Sequence, residues 1–159
     1  DPATGRHDMI YTAAVRADVR AHAEATYPAE CCGLILTPPG GPATYRPCKN
    51  LQSDDPALDP AGRARGEETA FHLDGAEVVR AEREGLEIRA IVHSHPDQDA
   101  YFSAMDRQVA TWRIGDDPPE PAYPGVRYLV VSVRSGQATE ERWFGWDDST
   151  RQFVERPGD

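Results

Sequence analysis

The chain has 159 residues, 28% of them charged, with 27 Asp and Glu against 17 Lys and Arg, for a net charge of −10. That length suits one domain and is too short for a (β/α)₈ barrel, which takes about 250 residues. So acidic a surface repels phosphate backbones and anionic lipid, so neither nucleic acid nor a membrane is expected as a partner.

Lys49 is the only lysine, an imbalance that fits either a halophilic or a GC-rich source. The three cysteines, Cys31, Cys32 and Cys48, are odd in number and two are adjacent, so no disulfide framework is implied. No apolar run approaches about 18 residues and no signal-peptide pattern opens the chain, so the expected location is cytoplasmic. One unit over residues 1–159 is expected, with roughly the first eight residues and the last few disordered.

In chain order, Met9–Thr12 reads as a short strand. Ala13 to Ala25 reads as a helix, because Val15, Val19, Ala23 and Thr26 recur at helical spacing before Pro28 ends it. Gly33–Leu36 reads as a buried strand, and Ala43–Cys48 as its hairpin partner. Ser53–Glu68 is rich in Asp, Pro, Gly and Arg and reads as a long mobile loop. Thr69–Leu73 is a short strand candidate, and Asp74 with Glu77 has the capping-box pattern of a helix that Gly85 stops.

Leu86–His95 is a strand on which Leu86, Ile88, Ala90 and Val92 should face one way. Arg89, Ile91, His93 and His95 should face the other. Ser103–Trp112 reads as a helix with Met105, Val109 and Trp112 on one side. The four prolines in Gly115–Gly125 predict a loop. Tyr128–Val133, Thr139–Trp146 and Gln152–Glu155 then read as antiparallel strands. The mixed order predicts an α/β (α+β) fold, a curved mixed sheet flanked by helices.

The informative pair is His93 and His95. Two residues apart on a strand, their rings share a face with Cβ atoms about 7 Å apart. Both can then reach one ion at about 2.0–2.1 Å. Pro96 ends the strand, which puts the pair at a C-terminal strand edge, where α/β proteins tend to hold their sites. Asp97, Asp99 and Asp106 are the candidates for a third ligand.

His-x-His-x-Asp is also a metallo-β-lactamase pattern, but no histidine follows His95. A deaminase zinc site would need Pro-Cys-x-x-Cys, which is absent. Asp106 fits the spacing better, since seven residues between His95 and Ser103 allow a turn into a helix. Ser103 and Asp106, three apart, share one helical face. Two His and one carboxylate leave the fourth tetrahedral position for water, as in catalytic zinc sites. Ser103-x-x-Asp106 is equally a capping box worth about 1 kcal/mol, and the two roles can coexist.

His93-x-His95-x7-Ser103-x2-Asp106 resembles the signature of the JAMM, or MPN+, metalloproteases, in their small prokaryotic JAB-domain branch. Tyr27-Pro28-Ala29-Glu30-Cys31-Cys32-Gly33-Leu34 is similar to the family's Pro-x-Glu-x-Cys-Gly-Leu segment. The resemblance covers residues 9 to 134. It implies the JAMM/MPN fold, similar to the cytidine-deaminase-like architecture, and one Zn²⁺ per chain carrying a bound water. It makes His93, His95 and Asp106 the metal ligands, Glu30 the general base and later proton donor, and Ser103 an oxyanion donor. Many prokaryotic members have Pro before the motif serine, where this chain has Phe102.

The implied activity is a zinc peptidase or isopeptidase cutting after the C-terminal glycine of a ubiquitin-like or sulfur-carrier protein. Its partner would be that protein's tail. A zinc hydrolase of a small amide and a non-catalytic MPN scaffold are the alternatives. Elsewhere, Cys31 and Cys32 suggest either thiol nucleophiles or small core residues, and beside Gly33 the core reading is preferred. Cys48 reads as structural, and His72 as packing or surface. His7 and His22 have no partner pattern. Trp143, Phe144 and Trp146 are either core or a peptide-binding face.

Overall fold

A computed structural model of the chain describes residues 10–50 and 73–157. The expected Ser53–Glu68 loop, most of the Thr69–Leu73 strand, His7, His72, Met9 and the extreme termini fall outside the described residues. Residues 10–12 are turn and coil rather than strand. Thr12 caps the helix that follows, its Oγ1 accepting from the Val15 N–H at 3.2 Å. Helix α1, Ala13–Thr26, buries Val15, Val19 and Ala23, one residue per turn.

Strand β1 (Cys32–Thr37) pairs antiparallel with β2 (Thr44–Cys48) on one side and β3 (Glu87–Pro96) on the other. Helix α2, Gly75–Arg83, precedes β3 and starts at Asp74, whose carboxylate accepts from Ala76 rather than Glu77. After β3 come helix α3 (Ala104–Ala110) and a two-residue ribbon, β4 (Thr111–Trp112) with β5 (Glu120–Pro121). The chain closes with β6 (Arg127–Arg134), β7 (Gln137–Asp147) and β8 (Gln152–Arg156).

The six-stranded order is β2-β1-β3-β6-β7-β8. Two three-stranded antiparallel units, β2-β1-β3 and the meander β6-β7-β8, meet at the parallel pair β3/β6, so the sheet is mixed as expected. Ser135 and Gly136 both have positive φ, the two-residue hairpin geometry whose twist matches that of the strands it joins. Both sheet faces are buried. Val15, Val19 and Ala23 of α1 pack with Ile35, Ala90, Val92, Leu129 and Val131 on one face. Val78 and Ala81 of α2 and Ala110 of α3 pack with Leu34, Ile91, Tyr128, Val130 and Phe144 on the other. Trp143 and Phe144 are therefore core, on opposite faces. Among the described residues, no helix is long and apolar enough to cross a membrane.

Two expectations need correction. Leu86 and Ile88 face the α2/α3 layer together with Ile91, while Ala90 and Val92 face α1. A bulge is the reason: Ile35 pairs with Ala90 and Leu36 with Ile88, so Arg89 is an extra residue that resets the alternation. Helix α3 is also shorter than expected. It ends at Ala110, buries Asp106 and Ala110, and leaves Met105 43%, Val109 40% and Trp112 53% exposed. Pro121 sits at the end of a two-residue ribbon strand, within the stretch expected to be all loop.

Candidate metal centre

Glu30 lies two residues before β1, His93 and His95 near the end of β3, and Asp106 in the first turn of α3. All four are buried, and their ligand atoms lie within 4.8 Å of one another. The backbone places Glu30 opposite the histidines. Cys31 donates its N–H to Ser94 Oγ at 2.7 Å, and its carbonyl accepts from the Ser94 N–H at 3.2 Å. Ser94 thus points away from the histidines and ties the two segments together. On the far side, the Asn50 amide donates to the Glu30 carbonyl at 3.3 Å.

Asp106 does two jobs. The capping box is complete: Ser103 Oγ accepts from the Asp106 N–H and Asp106 Oδ2 from the Ser103 N–H, both at 3.0 Å. The same Oδ2 lies 3.0 Å from His93 Nε2 and 3.2 Å from His95 Nε2. Oδ1, although buried, has no hydrogen-bond partner among the described residues. The Nδ1 of His95 lies 2.9 Å from the Asp99 carbonyl. A carbonyl can only accept, so Nδ1 carries the proton and Nε2 presents its lone pair to the centre.

The other two aspartates considered as ligands are turned elsewhere. Asp97 has φ 56°, and its carboxylate accepts from Tyr27 Oη at 2.6 Å and from the Ser135 N–H at 2.9 Å. The Asp99 carboxylate pairs with Arg134. The Asp97 turn and the Asp99 carbonyl hold the site, and Asn50 holds Glu30; the sequence reading missed these roles. A readable signal existed only for Asp97, since Asp is among the few residues that tolerate positive φ. The loop into α3 is anchored by Phe102, buried in a cluster with Tyr128, Phe144 and Phe153 and stacked on Phe144 at 5.2 Å.

The electrostatics fit a cation. Burial pushes the Glu30 carboxyl well above the ordinary carboxylate range, and the nearby Asp106 charge pushes it further. Neither Glu30 oxygen has a hydrogen-bond partner among the described residues. Burial raises Asp106 too, but attraction to His93 and then His95 in their protonated forms outweighs it and holds the carboxyl below its usual range. Burial lowers His93, favouring the neutral imidazole that ligates metals. Two carboxylates and two imidazoles buried together are costly unless a cation joins them. The His–Asp distances of 3.0 and 3.2 Å approach the edge, about 3.3 Å, of a tetrahedron with bonds of about 2.0–2.1 Å. The group can therefore hold a metal ion, with carboxylate oxygens to spare.

Over residues 12–145 the sequence matches the prokaryotic homologs of the JAB domain. The chain belongs to that family. All four residues of the centre lie inside the matched span of this JAB-family protein. It is 32% identical over 108 residues to tail tip assembly protein K of Escherichia phage N15, covering 62% of this chain and 39% of the phage protein. The chain thus spans about two-fifths of that relative's length. It is 30% identical over 122 residues to desampylase of Haloferax volcanii, covering 74% of this chain and 72% of desampylase.

Two solution structures share the fold. A Salinibacter ruber protein superposes with a TM-score of 0.57 at 25% identity, covering 92% of this chain and 87% of that one. A Desulfitobacterium hafniense protein gives 0.60 at 23% identity, covering 91% and 87%.

Proposed function

We propose that this protein is a zinc-dependent peptidase or isopeptidase that cuts after the C-terminal glycine of a ubiquitin-like or sulfur-carrier protein. The observation that carries the reading is the buried convergence of Glu30, His93, His95 and Asp106 in a JAB-family chain. The Haloferax relative, named desampylase, supports a protein modifier as substrate. His93, His95 and Asp106 would hold one zinc per chain. When bound, zinc polarises a carbonyl and brings its water's pKa to about 7. Glu30, with no hydrogen bond to its carboxylate from the described residues, takes the proton from the attacking water. Its raised proton affinity suits it to hold that proton and hand it to the departing amine nitrogen. Ser103 donates to the carbonyl oxygen as charge builds there, a contribution typically of about 3–4 kcal/mol.

The test begins with elemental analysis and zinc titration, which should give one ion per chain, lost in His93→Ala. Carriers extended past Gly-Gly should then be trimmed, by mass, only without chelator. No zinc uptake, or turnover of small acyl-amides with no trimming of any carrier, overturns the reading.

A further inference from the structure

The outward side of α3 and the ribbon beyond it carry an apolar face that no described part of the chain covers. Tyr101, Met105, Val109, Trp112 and Ile114 are 40%, 43%, 40%, 53% and 58% exposed. Met105 and Val109 are one turn apart on α3. Trp112 and Ile114 line one recess of about 340 Å³ with Pro118, rimmed by the charged Arg113, Asp117, Glu120 and Arg151. From 101 to 114, Arg113 is the only exposed charge, in a chain that is 28% charged. Tyr, Met, Trp and Arg with other charges depleted is the composition of an interface centre rather than of ordinary surface.

This face adjoins the metal centre. The same helix carries Asp106 on its buried side, and the Tyr101 ring sits edge-on against His95 at 4.9 Å. We infer that it docks the folded body of the protein substrate whose C-terminal tail enters the centre; this rests on the peptidase reading above. Area separates that occupant from a second copy of the chain. With about 200 Å² for a whole aromatic side chain, the exposed parts of Tyr101 and Trp112 amount to roughly 190 Å². The aliphatic residues bring the face to a few hundred Å². A stable dimer hides about 800 Å² per partner, more than this face supplies. A substrate held by its tail needs less, because its second contact is intramolecular.

The test compares Val109→Glu and Trp112→Ala with wild type on two probes. One is a panel of folded ubiquitin-like carriers extended past Gly-Gly; the other is free peptides with the same tails. Both substitutions should raise KM for the folded carrier about tenfold or more, with kcat within about twofold, and leave peptide kcat/KM within about twofold. Circular dichroism checks folding, and Val109→Gln replaces the glutamate variant if it fails. An unchanged KM on a cleaved carrier overturns the docking face and leaves the peptidase standing. A carrier that binds wild type but not Val109→Glu, yet is never cut, supports the face and sinks the peptidase. If no carrier is bound or cut, or if sedimentation shows a dimer that Val109→Glu dissolves, the inferred occupant is wrong.

Discussion

Replacing Glu30 with Gln should make the metal-free protein more stable, increasingly so as pH rises. Glu30 is 1% exposed, and its carboxylate lacks a hydrogen-bond partner among the described residues and faces a second buried acid. In the unfolded chain it titrates near 4.3. In the fold its value is raised, so between the two values the native state binds one proton more than the unfolded state. The stability this proton gives is complete below the unfolded value and is lost as pH climbs to the folded one. The slope is about −1.4 kcal/mol per pH unit while that window lasts. Gln is isosteric and does not titrate, so the variant's advantage should grow by up to that amount per unit above pH about 5, then level off. Urea unfolding in chelator at pH 5, 6, 7 and 8 measures it, with equal m-values confirming that the compared states are alike. Zinc should reduce the slope, since a cation stabilises the ionised form. A stability difference that stays flat across this range would refute the claim that Glu30 is an uncompensated buried acid.

Other outcomes follow from the same geometry. Glu30→Gln should keep zinc while losing hydrolysis, and Asp106→Asn should keep helix α3 but lower zinc affinity by at least about tenfold, read by competition with a chromogenic chelator. Gly33→Ala would place a methyl 2.2 Å from Tyr45 Oη, which is itself bonded to His22 at 2.6 Å. Overpacking of this kind should cost about 1–3 kcal/mol, seen as a lower Tm by calorimetry. Phe102→Ala should cost about 3–5 kcal/mol and weaken zinc binding, because the stacked ring holds the loop carrying Ser103.

The candidate ligand set was legible in the sequence because its spacing is local geometry: His93 and His95 obey strand alternation, and Asp106 sits with Ser103 in a helix cap. Glu30 was legible only through family resemblance; nothing in its neighbourhood announces that Ser94 will hold the next residue, Cys31, and so set Glu30 across from the histidines. The alternation of β3 was misread upstream because a bulge depends on the partner strand's register. For helix α3 the apolar periodicity put Met105 and Val109 on one side, but periodicity alone does not say whether that side faces in or out. Here a buried carboxylate took the inner side and the apolar residues went out.

The parallel pair β3/β6 has a kinetic consequence. Each antiparallel unit can form from pairings close in sequence, except where β1 must find β3. The β3/β6 pairing must also wait for some thirty residues of crossover, including α3, to close on themselves. Glu30 and the histidines belong to the first antiparallel unit, while Asp106 rides on the crossover. In refolding, then, neither half presents the full ligand set, and competence to bind metal should arrive with the last phase. Zinc uptake followed by stopped flow would report completion of the seam, and metal once bound should slow its opening.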